Sequence, residues 1–81
     1  MTQTEILQQI TPVFRKVFND NGLNLEPAHS AADFDKWDSI NHVILIARIE
    51  KLFNINIDTA ELMQLKTIGD LLNIIEKKVT L

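Results

Sequence analysis

Apolar residues recur at intervals of three and four through Ile6, Leu7, Ile10, Val13, Phe14, Val17 and Phe18. One face of a helix has that period, so the chain is expected to open with an amphipathic helix. Thr2 and Glu5 stand at capping-box spacing, which places its start near residue 3. Pro12 falls inside the run without breaking its phase, marking either a kink or a second start capped by Thr11. "NDNG" at 19–22 is turn chemistry, and from there to Asp38 no helical period longer than a turn follows. A connection of about twenty residues is long for so small a chain and usually means function or disorder. Leu23, Leu25 and Phe34 argue for order by giving it apolar anchors, and "SAAD" at 30–33 can add one capped turn.

"SINHVILIARIEKLF", residues 39–53, contains neither Gly nor Pro and reads as the second helix. After the alternating "NINI", Asp58 and Glu61 cap a short third helix holding Leu62, Met63 and Leu65. Thr67 caps a last helix whose inner face is Ile68, Leu71, Leu72, Ile75 and Val79. Asp70 near its start and Lys77 and Lys78 near its end suit the helix dipole. The expected fold class is all-α: one domain over residues 1–81, a small four-helix bundle of three main helices and a short one.

The second helix carries apolar residues on two sides. At about 100° per residue, Leu45, Ile46, Ile49, Leu52 and Phe53 fill a sector of about 120° opposite Ile40 and are expected in the core. Ile40, Val43, Ile44 and Ala47 form a second sector around Ile40, with Lys51 one turn further along. Either the long connection folds over that stripe, or it is left open as a docking surface.

Charge and composition narrow the function classes. A net charge of -3 and scattered Lys and Arg offer no basic patch for a phosphate backbone, so nucleic acid is not an expected partner. With no cysteine, disulfides, thiolate metal sites and Cys nucleophiles are excluded, and a cytoplasmic location fits. No apolar run has the length of a membrane span, and the first residues lack the basic start and apolar run of a signal peptide. His29 and His42 have no matching carboxylate cluster, so no metal site is expected. Met1 and an end just past the last helix suit a free-standing protein, expected to be a monomer.

The chemical question is Ser39, in "FDKWDSIN", where the polar connection meets the second helix. A serine there can cap the helix, as can Asp38. Nucleophilic catalysis would need a base and an oxyanion site, and no G-x-S-x-G elbow surrounds it, so an enzyme is not expected. A third role suits the position. The backbone donors and dipole of a helix N-terminus tolerate an attached anion, and the end of a connection is within reach of a modifying enzyme.

"WDSIN", the apolar helix after it, "IEKLFNINI" and "ELMQLKTIGDLLNIIEKKV" together resemble the acyl carrier protein family over almost the whole chain. The family's hallmark is Asp-Ser-Leu, its serine bearing 4′-phosphopantetheine; here the triplet is Asp38-Ser39-Ile40. The resemblance implies a phosphopantetheinyl transferase that moves the group from coenzyme A to Ser39, assisted by Asp38. It also implies a thioester-bound acyl group, acyl-loading and acyl-accepting enzymes as partners, and an acyl pocket lined by Leu45, Ile46, Ile49 and Phe53. Partners would dock on Ile40, Val43, Ile44, Ala47, Lys51 and Met63. Asn41, Ile44, Arg48 and Lys51 stand where the fatty-acid type often has acidic or small residues. A specialised acyltransfer, polyketide or aminoacyl-carrier pathway is therefore expected. A carrier-like module that works unmodified, or an aminoacyl or peptidyl carrier, is the alternative. Asp33 and Asp35 are either a lure for a basic transferase or ordinary solvated loop charges.

Overall fold

A computed structural model describes residues 1–79. Four α-helices follow in order: α1 (Gln3–Phe18), α2 (Ser39–Phe53), α3 (Thr59–Met63) and α4 (Ile68–Val79), with a single 3-10 turn over Ala31–Asp33. The described residues contain no strand, so the all-α expectation holds. Helix α1 packs against both α2 and α4. Its Ile6, Ile10, Phe14 and Phe18 meet Leu45, Ile46 and Ile49 of α2 and Ile68, Leu71, Leu72 and Ile75 of α4 in one core.

The helix ends are fixed by the chemistry at their borders. The Thr2 hydroxyl accepts from the Glu5 N–H at 3.2 Å, and the Glu5 carboxylate accepts from the Thr2 N–H at 3.0 Å. Asp58 and Glu61 repeat this box at α3. Asn19 and Asn54 close α1 and α2 in the left-handed region, at φ 52° and 55°, a conformation asparagine tolerates better than most residues. Pro12 neither breaks nor restarts α1. The helix runs through it, and Thr11 is no cap, because its hydroxyl donates back to the Leu7 carbonyl at 2.7 Å.

The connection from residue 19 to residue 38 is ordered by three anchors. Leu23 and Leu25 are buried. The Ile68 and Gly69 N–H groups, which begin α4 and have no partner within it, donate to the His29 and Pro27 carbonyls at 2.8 and 2.9 Å. A Cβ on Gly69 would come within 3.3 Å of that Pro27 oxygen, so the close approach favours glycine. Third, Trp37 sets its ring edge-on against Phe14, with centroids 5.3 Å apart, and tilts against Phe18 and Phe34.

One expected core residue is not in the core. Leu52 is 47% exposed. It lies at the edge of the inward sector of α2, beside Pro12 and Val13, where α1 and α2 leave a groove instead of closing. Phe53, also placed in that sector, is half-buried against the core.

Candidate functional site

Ser39 is the first residue of α2, and it does not cap the helix. Asp38 does: its Oδ1 accepts from the Asn41 N–H at 2.8 Å, while its carbonyl accepts from the His42 N–H at 2.9 Å. Asn41 in turn donates to the Lys36 carbonyl at 2.8 Å, tying the cap to the preceding turn. Of the two residues able to cap the helix, Asp38 is the one that does. A cap must sit in extended backbone one position ahead of the helix, and Asp38, at φ -99° and ψ -177°, has that conformation.

With capping assigned to Asp38, the Ser39 hydroxyl is exposed and engages no partner among the described residues. The Ser39 and Ile40 N–H groups of the first turn likewise have no acceptor among them. A free hydroxyl on a helix N-terminus with unspent backbone donors fits a phosphodiester, whose negative charge the dipole favours.

Ser39 opens onto a shallow depression lined by Ala31, Trp37, Asp38, His42 and Val43. Next to it, Ala31, Trp37 and His42 also line a narrow cavity of about 60 Å³ that is completed by Leu65, Lys66, Thr67 and Leu71. Trp37 and His42 form the wall between the two. The indole N–H donates to His42 Nδ1 at 2.9 Å, and the rings lie 23° from parallel. That bond occupies Nδ1 of the one histidine within a turn of Ser39. His29 is engaged elsewhere, its Nδ1 accepting from the Glu26 N–H at 3.0 Å.

The residues read from the sequence as docking surface are open to solvent: Ile40 is 73% exposed, Val43 66% and Met63 81%, with Ile44, Ala47 and Lys51 exposed beside them. The connection does not fold over them. Leu45, Ile46 and Ile49 are buried in the packed core, and the small cavity near Ser39 is lined by other residues. Trp37, His42, Leu65 and Thr67 were not legible as its walls, since they come from three segments that only the fold brings together. Asp33 is a structural group, its carboxylate accepting from the Ser30 N–H at 2.8 Å. Asp35 is exposed in the connection.

Three carboxyls elsewhere are held below their ordinary range by the bonds that cap or brace helices. The Glu5 carboxyl is lowered by the Thr2 backbone N–H, Glu61 by Lys78, whose ammonium lies 2.9 Å away, and Asp70 by the Lys66 and Thr67 backbone N–H groups. None lies in the site; all three stabilise helix ends.

Known proteins are similar to this chain in sequence and fold. The phosphopantetheine attachment site family matches residues 8–75. An acyl carrier protein of Thermosynechococcus vestitus is 32% identical over 98% of both chains, and acyl carrier protein 2 of Ralstonia nicotianae is 30% identical over 94% of both. The solution structure of a holo acyl carrier protein from Geobacter metallireducens superimposes with a TM-score of 0.86 at 40% identity, covering 91% of this chain and 85% of that one. Sequence, fold and the exposed serine agree: the chain belongs to the acyl carrier protein family, whose prosthetic group is 4′-phosphopantetheine.

Proposed function

We propose that Ser39 bears the 4′-phosphopantetheine group and that the protein carries an acyl group to enzymes of a specialised pathway. The observation that supports this most is the Ser39 hydroxyl itself, exposed and unbonded while its neighbour Asp38 holds the helix cap. In attachment, by a phosphopantetheinyl transferase, Ser39 Oγ gives up its proton and bonds to phosphorus of coenzyme A as the nucleotide-side phosphate leaves. Asp38 has Oδ2 free to help orient the metal-bound donor, since only Oδ1 serves the cap. When bound, the group supplies the thiol that this cysteine-free chain lacks.

Ile40, Val43, Ile44, Ala47, Lys51 and Met63 form the docking face for the loading and accepting enzymes. Its character favours a specialised pathway. Helix α2 carries a single acid, Glu50, and its carboxylate is occupied by the Ile57 N–H at 2.8 Å. The exposed charges of the helix are Arg48 and Lys51, so partners selected by basic rims would be repelled here. Leu45, Ile46, Ile49 and Phe53 are the apolar side chains that an acyl chain entering the bundle would meet. The protein acts as a monomer in the cytoplasm, and it catalyses no reaction of its own.

The test is intact mass after incubation with coenzyme A and a broad-specificity phosphopantetheinyl transferase. One phosphopantetheine is expected on the parent and none on Ser39→Ala. Equal gain on the variant would move the site. No gain on folded parent, even with the transferase of its own source, would make the exposed stripe an unmodified interaction surface.

A further inference from the structure

We propose that the groove between α1 and α2 is a second docking surface, and that it takes an acidic amphipathic segment of a protein partner. Pro12, Val13 and Leu52 floor a groove of about 400 Å³, and Lys16, Arg48 and Lys51 rim it. Two features bear on what it would bind. Leu52 is 47% exposed although the inward sector of its helix is otherwise covered, so the floor presents an apolar side chain without a partner. And none of the three cations forms an ion pair among the described residues, whereas Lys78 is paired with Glu61 and Arg15 is bonded to the Leu23 carbonyl and Asn24.

The local charge opposes the net charge. The chain has eleven acids against eight bases, yet no acid lines the groove, and five acids, Asp20, Glu26, Asp33, Asp35 and Asp38, lie in the connection before Ser39. Carboxylates beside apolar side chains complement cations around an apolar floor, and charge of that sign would steer such a partner toward this groove. Arg48 and Lys51 also line the depression next to Val43, Ile44 and Ala47, so the groove continues the stripe around α2.

A protein segment fits better than the other anionic occupants. Three cations are few for a phosphate backbone, whose binding grows with the number of charges neutralised. An anionic lipid surface would attract the groove and repel a chain of net charge -3. On a second copy Asp33, Asp35 and Asp38 flank Phe34 and Trp37, whose rings are already packed in its own fold, while Asp58 and Glu61 beside the exposed Met63 are engaged in the α3 capping box and by Lys78.

The probe is a synthetic helical peptide with Leu along one face and Glu on its flanks, added to the unmodified protein and followed by amide NMR. Its twin has Lys in place of Glu. Shifts are expected at Val13, Lys16, Arg48, Lys51 and Leu52, for the Glu peptide only, and binding should weaken as salt shortens the screening length. The double variant Arg48→Glu, Lys51→Glu should bind about tenfold more weakly or worse and should prefer the Lys peptide, with an unchanged melting curve. Ser39→Ala should bind like the parent, which separates this result from that of the attachment test. Absence of shifts at millimolar peptide, equal binding of both peptides, shifts in the groove caused by raising the protein concentration alone, or binding to phosphatidylglycerol vesicles and not to the peptide would each overturn the proposal.

Discussion

Helices α2 and α4 are built from similar residues and use them differently. In α4 Ile68, Leu71, Leu72 and Ile75 are buried, Ile74 and Val79 pack half-buried against the core, and Asn73 and Lys77 face outward. In α2 only Leu45, Ile46 and Ile49 are buried, while Ile40, Val43, Ile44 and Leu52 are exposed. The apolar content of α4 is accounted for by folding. That of α2 exceeds what the core takes, and the excess lies beside Ser39 and along the side away from α4. Apolar residues that water covers in the free protein are stabilised only when something else covers them, so the difference supports the docking role proposed above for α2.

Core truncation should produce the largest effect. Ile49→Ala on α2 and Ile75→Ala on α4 should each lose about 3 kcal/mol in chemical denaturation, because both side chains are fully buried. If Ile49→Ala cost far less than its counterpart, the inner face of α2 would not be core, and the comparison would fail. Next, Asp38→Ala should cost about 1 kcal/mol through loss of its bond to the Asn41 N–H.

Acid should weaken the helix ends on the α4 side more than the outward face of α2. The Glu5, Glu61 and Asp70 carboxyls are lowered in the folded chain, so their stabilisation is complete above the ordinary carboxylate range and drains as pH falls through the lowered values. The melting temperature should therefore decline from about pH 5 downward, and Asp70→Asn should flatten that decline. The smallest changes belong to the outward face. Ile44→Glu and Ser39→Ala should each stay within about 0.5 kcal/mol of the parent in denaturation. A core-sized loss from Ile44→Glu would return that side chain to the fold and erase the contrast between the helices.

Much of this was written locally in the sequence. Helix periods and capping pairs such as Thr2 with Glu5 and Asp58 with Glu61 act over three or four residues, so the borders could be read from the chain. The outward stripe followed from the same period. Three features could not be read. Whether Asp38 or Ser39 caps α2 depends on a single residue's backbone angles, which adjacent polar residues leave open. Leu52 sits at a sector edge, where burial is decided by how closely α1 approaches. The bonds from Ile68 and Gly69 to His29 and Pro27 join residues some forty positions apart, and no periodicity carries that pairing.

The wall beside Ser39 contains the chain's one tryptophan, hydrogen-bonded through its indole N–H to His42 and half-buried over Phe14. Indole emission responds to the polarity around the ring and to quenching by its neighbours. The protein thus holds a native optical reporter next to the hydroxyl that the transferase would modify, and no dye or tag is needed to watch it. Attachment of the arm proposed for Ser39 should leave its own change in emission, so that loading can be followed in real time in one cuvette.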